Sequence, residues 1–351
     1  MDYTDNLQLS CPSKDFNVRQ GSGVCDACGA LTPYEYVPVV NPVLARQWEL
    51  SNQERELWSA RESMYCAFCG CSYRLRMLAR AINNVEGDGS RSLLQGIEEG
   101  RFDKKKVAEI NSCGVLHETL KKIPSLKYSE YESIDPTIPH EDLQDLSYKS
   151  NSFDFVFTSD VLEHVPDPDK AISEIYRILK PGGNFIFSVP LIMDRKTKMR
   201  AYLKDGKIIH NQRASFHGSG EPDYLVWNEF GYDFIDTVRD KGFFAYYVFV
   251  NSKNFKDPVG VIVARKGGDS KALKASLDHT AGSAQFNEAW QVKRVQALKK
   301  KLDLTSNHVL NLEAIIKSHE EERVRLDKII EGYQKMGFGI PSKVIRRLKK
   351  H

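Results

Sequence analysis

Nowhere in its 351 residues does the chain have a run of about 20 apolar residues, the length that a membrane-crossing helix needs. Its opening, from MDYTDNLQLS onward, has no basic start followed by an apolar stretch, so no secretory leader is expected. Strong charge of either sign is also missing, since 50 Lys and Arg against 47 Asp and Glu leave a net +3. So small a balance makes no demand for nucleic acid or membrane as a partner. The cytoplasm is therefore the expected compartment. Disulfides are rare there, and the seven cysteines read better as metal ligands or packed thiols. At 41% hydrophobic residues the composition suits globular domains with cores of their own, and the length suits two or three of them.

Four cysteines fall in two matching segments, Cys25-Asp-Ala-Cys28-Gly and Cys66-Ala-Phe-Cys69-Gly. Two thiolates three residues apart can grip one metal from a tight turn, and the following glycine lets the chain fold back. Two such turns complete the tetrahedral four-sulfur shell that zinc prefers. Cys25, Cys28, Cys66 and Cys69 are thus the expected ligands of a structural zinc, in a module over residues 1–85. Cys71 lacks the knuckle spacing, and Cys11 and Cys113 are left as free thiols. Between the knuckles, Ser51 and Glu54 have the capping-box spacing, which predicts a helix over 52–63 with Leu57 and Trp58 inward. After the second knuckle, SYRLRMLARAI sets Leu75, Leu78, Ala79 and Ile82 at helical spacing. Arg74, Arg76 and Arg80 lie off that stripe, as a solvated face or as a grip on an anionic substrate.

From about 105 to 266 strands alternate with helices. KKVAEI, SLKYSEY, FDFVFTS and NFIFSVP read as strands, and the unbroken apolar run of FDFVFTS suits a strand buried on both faces. VLHETLKK reads as a helix. Asp167-Pro168-Asp169 opens another with a cap and a first-turn proline. Ala171, Ile172, Ile175, Ile178 and Leu179 line its inner side, and Pro181-Gly182-Gly183 ends it. VWNEFGYDFIDTVRDKG reads as one amphipathic helix. FFAYYVFVN and PVGVIVARK, with no helix between them, read as an antiparallel hairpin. In such a sheet the ligand crevice lies beyond the carboxyl ends of the strands.

NSFDFVFTSDVLEHV, residues 151–165, followed by AISEIYRILKPGGNFIFSVP, resembles class I S-adenosylmethionine-dependent methyltransferases, in particular the branch with a D-x-L-E-H-V segment after the fourth strand. The likeness covers about 105–266 and is far more specific to the fold than to the substrate. It implies an α/β fold, a doubly wound, mostly parallel seven-stranded sheet in a domain over 86–266, with S-adenosylmethionine as cofactor. Carried onto this chain, it puts Glu109 at the cofactor loop and Glu130 on the ribose hydroxyls. Asp142 falls at the adenine amino group, with Leu143 packing on the ring. Ser159 and Asp160 fall beside the methionine moiety and the methyl group. Ionised carboxylates suit ribose diols and an exocyclic amine because they only accept hydrogen bonds.

The chain departs from the family in one place. Where the family has E/D-x-G-x-G-x-G after the first strand, this chain has Glu109-Ile-Asn111-Ser-Cys113-Gly114. Glycine serves where backbone approaches a ligand or takes positive φ. Asparagine is the next most tolerant residue there, and Asn111 stands in a glycine place. Cys113 is small, and Gly114 can supply the close approach. A sulfonium cofactor has no pyrophosphate and depends less on a phosphate-cradling turn. Asn111, Cys113 and Gly114 are therefore kept as cofactor-binding candidates.

Residues 191–225 make a long connection, where an acceptor pocket is expected. It contains His210 and His217, the latter in FHGSG. A histidine suits an oxygen acceptor that benefits from a base near neutral pKa. His217 is the first candidate base and His164 of LEHV the second. Each is equally readable as a structural hydrogen-bonding partner. Tyr202, Arg200 and Arg213 are further candidate acceptor contacts.

Residues 267–285 read as a linker. Beyond it Val295, Leu298, Leu302, Val309, Leu312, Ile316, Leu326, Ile330 and Tyr333 fall on a frame of alternating three- and four-residue steps, interrupted at Thr305, His319 and Arg323, the pattern of a coiled coil over 286–351. A homo-oligomer is expected through it, or else a long helix folded back on its own domain. The closing PSKVIRRLKKH suits an anionic membrane surface or a solvated end. The leading functional expectation is methyl transfer to an oxygen of a sugar-related or other small acceptor, the sugar by analogy alone. A catalytically silent, oligomeric scaffold of the same fold is the second. Nucleic-acid methylation with the zinc module on RNA is the third, and SDVL in place of an N-P-P-Y-type segment argues against it.

Overall fold

The computed structural model describes residues 21–87, 91–192, 195–217, 224–248 and 260–267. The expected linker beyond 267 and the coiled coil and basic tail over 286–351 lie outside them. No described helix is long and apolar enough to cross a membrane.

The two cysteine segments fold alike. β1 (Gly21–Val24) pairs antiparallel with β2 (Leu31–Glu35), and β3 (Tyr65–Cys66) pairs with the far side of β2. In each knuckle the glycine N–H donates to the carbonyl of the first cysteine, Gly29 to Cys25 at 2.8 Å and Gly70 to Cys66 at 2.9 Å. Both glycines have positive φ, +80° and +71°, the conformation that the fold-back demands. Between them run α1 (Pro42–Gln47) and α2 (Asn52–Glu62). The predicted capping box opens α2: Ser51 Oγ accepts from the Glu54 N–H, and the Glu54 carboxylate accepts from the Ser51 N–H. Trp58 is buried as expected, and Leu57 is half-buried. α3 (Tyr73–Glu86) buries Leu75, Leu78, Ala79 and Ile82, and α4 (Leu93–Glu98) leads into the sheet. The arginines of α3 do not make a solvated face. Arg76 is buried against the rings of Tyr34 and Tyr73, Arg80 approaches Asp26, and Arg74 points into the crevice described below.

The α/β unit begins with β4 (Val107–Ile110), α5 (His117–Leu120), β5 (Leu126–Ser129), β6 (Phe153–Ser159), α6 (Pro168–Ile178) and β7 (Leu179–Ser188). As predicted, Asp167 caps α6 through the Lys170 N–H at 2.9 Å. Strand β7 starts at once after α6 and so includes the Pro-Gly-Gly that was expected to separate them. An excursion of short strands follows: β8 (Leu191–Ile192), β9 (Lys198–Met199), the hairpin of β10 (Ala201–Lys204) and β11 (Lys207–His210), β12 (Phe216–His217), β13 (Tyr224–Leu225) and β14 (Asn228–Gly231). Then come α7 (Phe234–Asp240), β15 (Phe243–Val248) and β16 (Val261–Lys266). The single helix expected over 226–242 is therefore a strand followed by a helix. All four residues of β14 are buried, which no one-sided helix permits. A Cβ on Gly231 would also lie 2.2 Å from the Arg195 carbonyl, so backbone packs directly on backbone there.

Among the described residues the sheet has six strands, in the order β15-β16-β7-β6-β4-β5, where seven were expected. β4 to β7 are parallel, and β15 and β16 form the predicted antiparallel hairpin. At the open edge of β5 the chain makes a single bridge, Glu130 to His140. Pro136 and Pro139 in that stretch have no N–H to offer a ladder, which accounts for the missing strand. Side-chain alternation along β6 divides the core. Phe155 and Phe157 pack with Met77, Leu78 and Ile82 of α3 and with Cys25 and Cys66 on one face. Val156 packs with Ile172, Ile175 and Val238 on the other, where Phe153 joins it because the strand register shifts between Phe153 and Phe155. The cysteine-bearing segment and one face of the sheet thus share a core.

Candidate active site

The crevice lies where the topology places it, beyond the carboxyl ends of β4, β6 and β7. It is a cleft of about 810 Å³. Ser112, Gly114 and Val115 line one side, and Ser159, Asp160 and Pro190 form its floor. His164, Phe216 and His217 border another side, and Val43, Leu44, Trp48, Trp58, Arg61 and Arg74 close it from the N-terminal segment.

The turn after β4 takes the shape that the glycine-poor sequence had to provide. Asn111 has φ +57° and Gly114 φ +58°. Asn111 Oδ1 accepts the Tyr131 N–H at 2.8 Å, which pins the turn to the segment after β5. Glu109 is fully buried beneath it, accepts the Cys113 N–H at 2.8 Å and pairs with His117 at 2.7 Å. That hydrogen bond raises the His117 pKa, while burial pushes the Cys113 thiol up. Glu130 accepts the Ser112 N–H at 3.2 Å and the Tyr128 hydroxyl. The Glu141 N–H donates to the Glu130 carbonyl, which sets Asp142 and Leu143 beside this group. Asp142 accepts the Gln144 N–H at 2.8 Å, and Leu143 is buried. Glu109, Asn111, Cys113, Glu130, Asp142 and Leu143 support the turn and its flank, whereas Ser112, Gly114, Ser159 and Asp160 line the cleft itself.

Asp160 has φ +53° and is gripped from three sides. Arg61 donates to both its oxygens, at 2.7 and 2.8 Å, Ser188 Oγ donates at 2.7 Å, and Arg74 Nε lies 3.3 Å away. Burial opposes ionisation, but the two guanidinium groups outweigh it and hold the carboxyl well below its usual range. Arg74 also bonds Ser159 Oγ and Glu62. Arg61 and Trp58 share one face of α2, with the guanidinium 5.5 Å from the indole centre. Arginine three residues after tryptophan on a buried face was the one sequence signal for this contribution, and the sequence reading missed it.

His164 and His217 meet although 53 residues separate them, with ring centres 4.7 Å apart. His164 Nδ1 lies 3.0 Å from the Leu225 carbonyl and therefore donates to it, leaving Nε2 with the lone pair. The His217 ring sits 5.5 Å from that of Trp48, whose Nε1 donates to Ser215 Oγ at 3.0 Å. Burial lowers both histidines; with His164 beside it, His217 falls to about 3. Glu163, between Asp160 and His164 in sequence, is fully buried, and burial together with the Asp160 charge raises its pKa well above the usual value. His210 is exposed on β11. Arg200 is buried in an ion pair with Glu229 and donates to the Arg213 carbonyl at 2.7 Å, so it holds the excursion together. Tyr202, Arg213 and His210 do not line the cleft.

Away from the cleft lining, the sulfur atoms of Cys25, Cys28, Cys66 and Cys69 lie within 4.8 Å of one another. Cys25 and Cys69 are 3.7 Å apart, and Cys28 and Cys66 3.8 Å. Tetrahedral zinc with bonds of about 2.3 Å sets its sulfurs ~3.8 Å apart, so this donor set fits the ion. Cys71 is buried next to them.

Residues 116–187 match the family model described as Methyltransferase domain. Over 42 residues, 12% of this chain, the sequence is 45% identical to phosphoethanolamine N-methyltransferase 2 of Caenorhabditis elegans, covering 10% of that protein. Over 92 residues, 24% of this chain, it is 35% identical to a ubiquinone/menaquinone biosynthesis C-methyltransferase of Hydrogenovibrio crunogenus, covering 35% of it. Among solved structures it is similar to 1,6-didemethyltoxoflavin-N1-methyltransferase of Burkholderia thailandensis, at 15% identity and a TM-score of 0.34, over 69% of this chain and 98% of that one. The chain thus spans from a tenth to about a third of the length of these two curated relatives. The family match and the mixed six-stranded sheet together give the central unit a class I methyltransferase fold.

Proposed function

We propose that the chain is an S-adenosylmethionine-dependent methyltransferase acting on a hydroxyl oxygen of a small acceptor. One observation carries this reading. A single cleft joins the turn of Ser112, Gly114 and Val115 to the pair His164 and His217, so donor and acceptor share one cavity. The positive φ of Asn111 supports donor binding, because the turn has the shape that the absent glycines would have given. Ser159 and the turn would hold the methionine and ribose ends of the donor, which supplies the methyl group on a sulfonium. The chain's own part is to orient the acceptor in line with that methyl, the source of much of the rate in such transfers. A pKa near 3 keeps the His217 ring neutral. It also makes His217 a weak base, so its role on the acceptor is to accept and aim the hydroxyl hydrogen. Trp48, Trp58 and Phe216 in the wall suit the flat apolar face of a sugar ring. The relatives described above are named for phosphoethanolamine and for ubiquinone/menaquinone biosynthesis, not for sugars. The four-sulfur cluster supports a structural zinc, and the heptad pattern over 286–351 supports a homo-oligomer.

Calorimetric titration of zinc-loaded protein with S-adenosylmethionine and its demethylated product tests the reading. One saturable site, weakened more than tenfold in Glu130→Ala, is the expected result, since Glu130 holds the Ser112 N–H. Folded protein that takes up neither ligand at millimolar concentration is a scaffold and not an enzyme.

A further inference from the structure

We propose that Glu163, His164 and His217 bind one divalent transition-metal cation at the acceptor end of the cleft, a site separate from the four cysteines. One nitrogen from each histidine and one carboxyl oxygen of Glu163 lie within 4.8 Å of one another. His164 Nε2 and Glu163 Oε1 are 3.7 Å apart. Ligand atoms around such an ion sit about 3.4 Å from one another, so side-chain rotations of roughly 1 Å bring the three onto one centre.

The polar atoms left over point the same way. Glu163 is fully buried, and neither of its carboxyl oxygens has a hydrogen-bond partner among the described residues. The buried Nε2 of His217 has none either. Buried polar atoms without partners are costly and rare, and two of the three clustered residues carry them. A cation satisfies them together. His164 Nδ1 donates to the Leu225 carbonyl, which fixes the tautomer and leaves the Nε2 lone pair for a cation, as metal-bound histidines require. The neighbouring charges cancel, with Arg61 and Arg74 set against Asp160 and Glu62. Two histidines and one carboxylate leave coordination positions open. His164 and His217 line the cleft, so those positions face the acceptor.

The chemical role rests on the methyltransferase reading. A hydroxyl bound to the cation loses its proton to solvent more easily. The oxygen lone pair then forms a bond to the methyl carbon, the carbon–sulfur bond breaks, and its electron pair returns to sulfur, giving a methyl ether and a neutral thioether. With the cation bound, His217 holds the metal, and the metal takes over from the ring in holding and activating the acceptor hydroxyl.

The test uses full-length protein carrying one zinc per chain, enough for the four cysteines alone, and Mn2+ without any methyl donor, with free Mn2+ read by electron paramagnetic resonance. Thiolates are too soft to compete for this ion. The expected result is one Mn2+ per chain, weakened at least tenfold in both Glu163→Gln and His217→Gln, with the zinc content unchanged. No saturable binding in folded wild-type protein overturns the site, as does wild-type affinity in either folded variant. Should Glu163→Gln fail to fold, His217→Gln decides alone. Mn2+ binding without S-adenosylmethionine binding leaves the metal site standing and removes the enzyme; the converse removes only the metal site.

Discussion

Arg61 is fully buried, and its charge is matched by Asp160 through two hydrogen bonds of 2.7 and 2.8 Å. Removing one partner of a buried pair strands the other, at a cost of about 3–5 kcal/mol. Asp160→Asn should lose about that much in urea denaturation. A variant as stable as wild type would show that the pair does not stabilise the fold. The pH dependence has a definite sign. The folded-state pKa of Asp160 is lowered by Arg61 and Arg74 against burial, with Ser188 donating and the Glu163 and Glu62 carboxyls nearby. Its contribution is therefore complete above the unfolded value of about 3.9 and is lost as the pH falls below it. Wild type should lose stability steeply in acid, and Asp160→Asn should lack that part of the slope. The sequence pointed to Asp160 as a residue at the strand end. It could not show that arginines from α2 and α3 hold it, because 99 and 86 residues separate the partners.

At the scale of elements, local chemistry was legible where one residue type answers one backbone need. Asn111 was expected to replace a glycine at positive φ, and it sits at +57°. A β-branched residue there is strained, by about 1–2 kcal/mol or more. Asn111→Val should therefore lower stability by that amount and weaken donor binding, whereas Asn111→Gly should keep binding. Equal donor affinity in Asn111→Val would mean that the turn does not shape the site. The capping box of α2 is a smaller effect of the same kind. Ser51→Ala should cost about 1 kcal/mol, read as a shift of the denaturation midpoint, and no shift would mean that the exposed cap contributes nothing. Element boundaries were less legible. The stretch over 226–242 has apolar residues at helical intervals, yet its first part is a strand buried on both faces. Periodicity describes a helix with one wet side and carries no information once burial is complete.

For the whole molecule, the shared core ties the cysteine cluster to the sheet. Cys25 and Cys66 pack in the same cluster as Phe155, Phe157 and Val263. Removing zinc with a chelator should therefore lower one common melting transition, since metal binding that requires the folded state stabilises all of it. It should also weaken donor binding, because Arg61 and Arg74 reach the cleft from the segment that carries the four cysteines. A separate early transition, with the second transition and donor affinity unchanged, would show an independent module. Replacing Cys66 with Ser should reproduce the effect of the chelator.

The sequence by itself determined the repeated knuckles, the capped helices, the parallel strands with their closing hairpin, and the left-handed turn at Asn111. Each follows from spacing or from a single residue's backbone preference, and such information lies within a few neighbouring positions. Only the tertiary structure decided which side chains share the cleft. It brought Arg61 onto Asp160, His217 onto His164 and Trp48 onto His217, and it gave the described residues a sheet of six strands. Those outcomes depend on burial of charge and on packing between distant segments, where each residue's preference is set by neighbours that the linear order does not supply.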